Sequence, residues 1–248
     1  MTIMRKIRLF LSTENLAESL QIKVEGSDFE YLIKVMRQKI GDKIFVFNGV
    51  DGEFEASIIS IEKKFLLLEI GTKVSELIAM QNIGLAFALI KNVGIDVIAK
   101  KSVELGVKNI YPLITNNTIV DKINTERFKS NLKEACEQCE RNDFPQVFKL
   151  EKLEKFLQNS DDKILLLCDE SHQGKKASLL LPSISKMRKN NEEIIVLIGP
   201  EGGFSKNEFA KMREMKNVFS LSLGPRILRS DTAIAAAITL TQEFLGDW

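Results

Sequence analysis

Two short apolar runs near the C-terminus dominate the pattern of hydrophobic and polar positions. Residues 194–198 are apolar at every position and mostly β-branched, which is typical of a strand buried on both faces. Residues 221–223 predict a second buried strand. Each run leads into a Gly-Pro turn, and a helical pattern follows each turn. Because loops at strand ends often form a crevice in α/β sheets, these two loops are candidates for holding a small ligand.

The residues after the two runs predict how the loops turn and where the helices begin. Ser205 and Glu208 have the spacing of a capping box, which predicts a helix start at that point. After the second run, a very apolar helix is predicted over residues 233–240. Its cap is expected to be one of three polar residues: Ser230, Asp231 or Thr232. Positive φ angles and uncovered backbone N–H groups are predicted at three glycines: Gly199, Gly202 and Gly203.

Neither loop matches a nucleotide-binding motif. The P-loop pattern G-x-x-x-x-G-K-[ST] and the dinucleotide pattern G-x-G-x-x-G are both absent from them. Glycine-rich turns between strands and helices are also common in α/β domains without any ligand. The residues alone therefore leave two alternatives open, a bound small molecule and plain tight turns.

The first 72 residues predict a separate small β-barrel domain. Short strand patterns follow one another and are separated by Gly-Asp, Asn-Gly and Asp-Gly turn signals. Strands spaced so closely favour a barrel over a βαβ unit. One short amphipathic helix is predicted over residues 27–38. The predicted strands are 43–47, 53–59 and 65–70.

Residues 73–248 predict an α/β domain with a parallel sheet. Strand and helix patterns alternate along this part of the chain, as they do in consecutive βαβ units. Gly106 is placed to end the first of the helices. The predicted strands before the two C-terminal ones are 83–90, 107–113 and 163–168. The predicted helices in the same part are 93–105, 128–139 and 178–190.

Composition narrows the class of protein. The 248 residues are 44% hydrophobic and 28% charged, which is typical of a globular chain. A formal net charge of +1 argues against a broadly basic nucleic-acid-binding protein, so any RNA contact would use local patches. We expect a cytoplasmic protein that does not enter a membrane. No apolar run reaches the roughly 18 residues of a membrane span, and the first residues lack the apolar stretch of a signal peptide.

The cysteines and the single histidine receive no chemical role. Cys136 and Cys139 have C-x-x-C spacing, but they fall inside a helical pattern and the chain has only one further cysteine. A count of three cysteines fits a reducing compartment better than a disulfide framework. No serine or aspartate partner pattern points to His172. We therefore predict no metal site.

The two C-terminal loops carry a resemblance to a known family. The segments GPEGGF at 199–204 and GPRILRSDTA at 224–233 closely resemble the signature of the SPOUT methyltransferases. The chain looks most like the RsmE family, which methylates N3 of a uridine in 16S ribosomal RNA. Three further segments agree: KKSVELGV at 100–107, ACEQCERN at 135–142 and MRQKIGDKIFVFNG at 36–49. The resemblance covers essentially the whole chain, and the two loop motifs together are highly specific.

This resemblance implies a fold, a donor and partners. It implies an α/β chain in which residues 1–72 form a PUA-like β-barrel that binds RNA and residues 73–248 form a SPOUT methyltransferase domain. The SPOUT domain would have a parallel sheet and a trefoil knot, although knots are nearly absent from proteins in general. S-adenosylmethionine is the implied methyl donor. The implied partners are 16S rRNA in the 30S ribosomal subunit and a second copy of the chain, with no metal.

The resemblance also implies site residues. The donor would be held by Leu167, Ile198, Gly199, Pro200, Glu201, Gly202, Gly203, Leu223, Gly224, Leu228, Ser230, Thr232 and Ala233. RNA contacts are expected from Arg5, Arg8, Arg37, Lys91 and Asn142. Uridine N3 must lose a proton, so a base or a cation that stabilises the anion is required. The candidate catalytic residues are Arg229, Arg141 and Glu201, and an arginine is favoured over a single carboxylate base.

Some features argue for other interpretations. Asp143 stands where the family has a basic residue. At Val93-Gly94 the glycine is shifted from its position in the family, and the lysine that follows it in the family is absent. The N-terminal bases are also explained as a solvated rim, which composition alone favours. Arg141 and Asn142 are also explained as polar residues at a helix end. Two other functions stay open, a SPOUT ribose 2′-O-methyltransferase and a non-catalytic RNA-binding assembly factor.

Overall fold

Two units, each with its own β-sheet, make up the chain. The computed structural model describes residues 6–78, 80–90, 94–169 and 174–248. The first unit contains Met1–Ala79 and Cys136–Phe144, and the second contains Met80–Ala135 and Pro145–Trp248. The boundary predicted after residue 72 falls inside a strand that runs to Ser75. The sequence patterns also do not predict that residues 136–144 belong to the first unit.

A curled five-stranded sheet forms the first unit. Its strands are β1 (Arg8–Phe10), β2 (Gln21–Glu25), β3 (Lys43–Phe47), β4 (Glu53–Ile61) and β5 (Phe65–Ser75), in the spatial order β1-β3-β4-β5-β2. β1 pairs parallel with β3, and the other neighbours pair antiparallel. Helix α1 (Gly26–Glu30) continues into a π-helical turn over Tyr31–Val35. The predicted barrel-like domain is confirmed, and its predicted helix is present as these two consecutive segments.

The sequence patterns miss β1 and β2 for a physical reason. β1 has only three residues, and Val24 is the one residue of β2 that is fully buried. Such segments carry little period-2 signal, and they become strands because they pair with β3 and β5. In β3, by contrast, Ile44 and Val46 alternate into the core. Leu66 and Leu68 of β5 are buried in the same core.

An eight-stranded parallel sheet forms the second unit. Its strands are β6 (Ile83–Ala88), β7 (Asn109–Ile114), β8 (Gln146–Val147), β9 (Glu151–Lys152), β10 (Ile164–Cys168), β11 (Lys175–Lys176), β12 (Ile194–Ile198) and β13 (Val218–Ser222). The spatial order is β11-β13-β10-β12-β6-β7-β8, and β9 also pairs with β7. The pairings between these described strands are all parallel. The predicted α/β class with a parallel sheet is confirmed.

Six helices of the described residues accompany these strands, and two of their ends carry the local signals that the sequence predicts. They are α2 (Ile95–Glu104), α3 (Thr125–Gln138), α4 (Leu153–Gln158), α5 (Ala177–Met187), α6 (Lys206–Glu214) and α7 (Ser230–Leu245). Gly106 follows α2 with a φ of 75°, as expected for a helix-terminating glycine. The predicted capping box of α6 is confirmed, since Ser205 and Glu208 each accept a hydrogen bond from the other's backbone N–H. Among the described helices, none is both long and apolar enough to cross a bilayer.

The two C-terminal strands differ in burial. β12 lies between β10 and β6, and all five of its residues are buried, which explains a run that is apolar at every position. β13 begins at Val218, earlier than predicted, and Leu221 is its one fully buried residue. The predicted second buried strand is therefore present but mostly half-buried, because the outer neighbour of β13 is the two-residue β11.

The start of α7 also differs from the prediction. Its N-cap is Arg229, whose carbonyl oxygen accepts a hydrogen bond from the Ala233 N–H, and no side chain caps this helix end. Ser230 is already the first helical residue, and Asp231 accepts a hydrogen bond from the adjacent Thr232 N–H. The helix therefore begins without a side-chain cap. Its apolar face stabilises it instead, since Ile234, among others, is fully buried.

Candidate ligand-binding site

A cavity of about 460 Å³ opens at the carboxyl ends of β10, β12 and β13. Because these strands are neighbours in a parallel sheet, the loops that follow β12 and β13 meet at the same sheet edge. The volume lies within the range of small-molecule sites, about 300–1,000 Å³. The crevice expected from the two glycine loops is therefore present.

Most residues expected to hold the donor line this cavity: Ile198, Gly199, Pro200, Glu201, Gly203, Leu223, Gly224, Leu228, Ser230 and Ala233. Three others are not among the described residues of the lining. Leu167 is fully buried within β10. The carbonyl oxygen of Gly202 accepts a hydrogen bond from the side chain of Asn117. Thr232 is exposed on the first turn of α7 and donates its N–H to Asp231.

The glycines of the loops have two different functions. Gly203 and Gly224 adopt φ angles of 66° and 107°, in the region that favours glycine. Gly199 and Gly202 do not adopt positive φ angles, so that part of the prediction is wrong. Gly199 is instead favoured by a close approach, since a Cβ atom there would lie 3.0 Å from the ring of Phe204.

The lining combines an apolar wall with charges of both signs. Its large apolar side chains are Ile198, Phe204, Phe209, Leu223, Ile227 and Leu228, and the two phenylalanine rings pack edge to face at 5.6 Å. Its charged residues are Asp169, Glu201, Arg226 and Arg229. A ligand that fits this lining would have a flat apolar part and both cationic and anionic groups.

Sequence reasoning missed six residues of the lining: Cys168, Asp169, Phe204, Phe209, Arg226 and Ile227. Three of them, Phe204, Arg226 and Ile227, fall inside the loop motifs, so the motifs themselves carried the signal. Phe209 lies one turn into α6, and only the packing of that helix brings it to the cavity. Cys168 and Asp169 reach the cavity because β10 pairs in parallel with β13, and no local pattern in the sequence predicts this pairing.

The end of β10 places a buried carboxylate and a neutral thiol in the lining. The Asp169 side chain is fully buried, and its Oδ2 accepts a hydrogen bond from Arg213 Nη2 at 2.8 Å. Burial, and then the adjacent Asp169 charge, raise the pKa of the Cys168 thiol to about 12. Cys168 therefore stays protonated at neutral pH and is a poor nucleophile.

The three candidate catalytic residues lie in different surroundings. Glu201 and Arg229 are exposed residues of the cavity lining. Arg141 belongs to the first unit and is buried, with Nε and Nη2 2.5 and 2.7 Å from the two oxygens of Asp143. Asp143, the departure from the family pattern, is therefore the partner of Arg141. The catalytic roles of these residues stay predictions.

Arg8 does not fit the prediction of a phosphate contact. It is 3% exposed, and its Nε lies 2.5 Å from Oε1 of Glu53, which is itself buried. Its Nη1 and Nη2 donate to the carbonyl oxygens of Cys136 and Arg141, at 2.6 and 3.2 Å. The guanidinium therefore holds the 136–144 segment against the sheet of the first unit, and the prediction is corrected.

Asn142 is likewise an internal residue of the first unit. It is 2% exposed, its Oδ1 accepts from the Ile78 N–H, and its Nδ2 donates to the Glu76 carbonyl oxygen at 2.8 Å. An RNA contact through this amide is therefore contradicted by its burial. Arg37 is exposed, and its predicted RNA contact stays a prediction. The other two predicted contacts, Arg5 and Lys91, lie outside the described residues.

The C-x-x-C pair lies at the end of α3 as two unlike thiols. Cys136 is buried, which raises the pKa of its thiol to about 12, while Cys139 is exposed. No group of three potential metal ligands occurs within the part of the chain that the structure describes. His172, which received no role from the sequence, lies outside that part.

The chain belongs to the RNA methyltransferase family. The model of the RNA methyltransferase domain matches residues 78–242, and that of the RNA methyltransferase PUA domain matches residues 24–71. Ribosomal RNA small subunit methyltransferase E of Rickettsia conorii is 32% identical, and the match covers 95% of this chain and 94% of that protein. The enzyme of the same name from Bacillus subtilis is 26% identical, with 95% of each covered.

Solved structures give the same family. Ribosomal RNA small subunit methyltransferase E of Neisseria gonorrhoeae, bound to S-adenosylmethionine, has a TM-score of 0.85 and 27% identity over 98% of this chain and 99% of that one. A methyltransferase from Legionella pneumophila in complex with SAM has a TM-score of 0.85 and 29% identity over 98% of this chain and all of that one. The family expected from the loop motifs is confirmed.

Proposed function

We propose that this protein transfers a methyl group from S-adenosylmethionine to N3 of one specific uridine in 16S rRNA. The observation that carries the proposal is the cavity built by the GPEGGF and GPRILR loops at the ends of β12 and β13. Relatives that match over nearly their whole length are named for small-subunit rRNA methylation, and both of the solved structures described above hold the donor.

The residues of the cavity suit this donor. An adenine ring fits against apolar side chains such as Leu223 and Leu228, and backbone groups of the glycine loops are available at its edge. Arg226 is a cation suited to the donor's carboxylate. When bound, S-adenosylmethionine supplies an electrophilic methyl group on a positively charged sulfur.

The residues of the chain would act mainly on the uridine. A new bond forms between N3 and the methyl carbon as the carbon–sulfur bond breaks, and the N3 proton must leave. Arg229 stabilises the negative charge that develops on the uridine oxygens as this proton departs. Glu201, in the same lining, is the candidate that accepts the proton. Arg141 is the second candidate cation.

The proposal includes the surroundings in which the reaction takes place. The net charge of +1 leaves little general attraction for phosphate, so we infer that the substrate is a shaped site, 16S rRNA within the 30S subunit. The family resemblance supports a homodimer, a trefoil knot around the donor site and a cytoplasmic location.

Mass spectrometry of 16S rRNA nucleosides from a strain lacking this protein tests the proposed function. Loss of N3-methyluridine, restored by the wild-type gene, is the expected result. Loss of a ribose methyl group would instead identify a 2′-O-methyltransferase. An unchanged nucleoside profile would favour a non-catalytic assembly factor.

Arg229→Ala is expected to slow single-turnover methylation about 10²-fold, because removing one donor that stabilises a developing anion costs about 3 kcal/mol. Arg229 is exposed, so the melting temperature and the donor affinity should hardly change. Arg229→Lys keeps the charge and should recover part of the rate. A lowered melting temperature with near-normal turnover would make Arg229 a scaffold residue and leave Arg141 as the catalytic cation.

A further inference from the structure

The loop that follows β7 holds the first glycine loop through one side chain. Nδ2 of Asn117 lies 3.1 Å from the carbonyl oxygen of Gly202 and 3.0 Å from that of Gly203, and it donates to both. The same turn is closed internally, because the Gly203 N–H donates to the Pro200 carbonyl oxygen at 2.8 Å. A single amide thus fixes two consecutive carbonyl groups of the GPEGGF loop.

These hydrogen bonds determine which way the backbone N–H groups point. In a trans peptide the C=O and N–H point in opposite directions. Holding the Gly203 carbonyl on Asn117 therefore turns the N–H of Phe204 away from Asn117. Gly203 and Phe204 both line the cavity, whereas Asn117 is not among the described residues that line it. The amide therefore contacts the glycine loop on the side that does not line the cavity.

Asn117 is itself held in place by its neighbours. The N–H of Thr115 donates to the hydroxyl of Thr118 at 2.9 Å, and the two threonine hydroxyls lie 2.8 Å apart. The N–H of Asn116 donates to Glu208 Oε1 at 2.8 Å, which ties the loop to the start of α6. The asparagine therefore acts from a fixed turn.

We propose that Asn117 is a positioning residue of the donor site. Its amide holds the Gly202–Gly203 turn in the conformation that turns the backbone N–H of Phe204 toward the ligand. A loop with two adjacent glycines has wide conformational freedom, so this restraint lowers the entropy that ligand binding must remove. The inference rests on the proposed function, because it takes S-adenosylmethionine as the ligand.

The test compares three variants for S-adenosylmethionine affinity by calorimetry. Asn117→Asp has the same shape but faces two carbonyl oxygens with a carboxylate, and we expect about tenfold weaker binding. Asn117→Ala only removes the two hydrogen bonds, and about threefold weaker binding is expected. Asn116→Ala is the matched control, since its amide donates to the hydroxyl of Ser205 and not to a glycine carbonyl. Its affinity should stay within about twofold of wild type.

Kinetics separate positioning from general stability. If the loop contacts the donor equally in the ground state and the transition state, Asn117→Asp raises the KM for the donor about tenfold and leaves kcat unchanged. The melting temperature should match that of Asn116→Ala. Should Asn117→Asp fail to fold, Asn117→Ala decides by the same comparison with Asn116→Ala.

The outcomes distinguish this inference from the proposed function. A wild-type protein that does not bind S-adenosylmethionine overturns both. A wild-type protein that binds the donor, with equal affinity in the Asn117 and Asn116 variants, overturns the inference alone. A fall in melting temperature that accounts for the whole affinity loss in Asn117→Ala also overturns it.

Discussion

Valine at Gly203 or Gly224 is expected to weaken S-adenosylmethionine binding at least about 10³-fold, beyond detection by calorimetry. The φ angles of 66° and 107° lie in a region where a β-branched residue is an outlier. The strain, about 1–3 kcal/mol, is relieved by turning the neighbouring peptides, which redirects the N–H groups of the loop. The added side chain also takes up space in a cavity that both glycines line.

Gly26→Val is a matched control for the backbone strain. Gly26 has a φ of 64°, almost that of Gly203, a Cβ atom there would meet nothing within 4 Å, and it belongs to the first unit. This variant should lose a similar amount of stability and keep the donor affinity of wild type. All three variants should keep the oligomeric state of wild type, measured by light scattering. Normal binding by both Gly203→Val and Gly224→Val would refute the assignment of these loops to the donor.

Replacing Arg8 by alanine is expected to lower the free energy of unfolding by about 3 kcal/mol, because the buried Glu53 carboxylate loses one of its two cationic partners and keeps the partly exposed Lys6. The variant also leaves the carbonyl oxygens of Cys136 and Arg141 without the donors that Arg8 supplies. Urea denaturation followed by circular dichroism measures this loss.

Two further variants identify the cause of the stability lost in Arg8→Ala. Arg127 forms an exposed pair with Asp96 at 2.7 Å, and Arg127→Ala should cost only about 0–1 kcal/mol. A double variant with Arg8→Met and Glu53→Leu removes both buried charges and should recover part of the stability lost in Arg8→Ala, while the carbonyl oxygens of Cys136 and Arg141 still lack their donors. If Arg8→Ala costs no more than Arg127→Ala, the pair with Glu53 is not a structural anchor.

Local features of the sequence predicted much of the second unit. The capping box of α6 involves residues three positions apart, and the glycine after α2 stands next to the helix it ends. The apolar run of β12 reflects burial on both faces of a central strand. Each of these signals arises from neighbours in the chain, so spacing and residue type suffice to find them.

Contacts between distant segments account for what the sequence did not predict. Arg8 was expected at the surface because arginine is mostly exposed, and only the folded unit shows the buried carboxylate and the carbonyl groups that satisfy it. Asn142 is likewise an internal residue, because its side-chain amide donates a hydrogen bond to the Glu76 carbonyl oxygen, just after β5. Nothing in the types of these two residues distinguishes an internal partner from an RNA phosphate.

The sequence by itself determined the class of the fold, the two glycine loops and, through their motifs, the family. The class of the fold and the loops follow from hydrophobic period, turn chemistry and helix signals, which act over a few residues. The family follows only from the resemblance of the loop motifs. The tertiary structure decided that residues 136–144 join the first unit and that Asp169 reaches the cavity. It also decided that Asn117 holds the glycine loop, across a separation of 85 residues. The order of strands in a sheet brings such residues together, and no short-range pattern encodes that order.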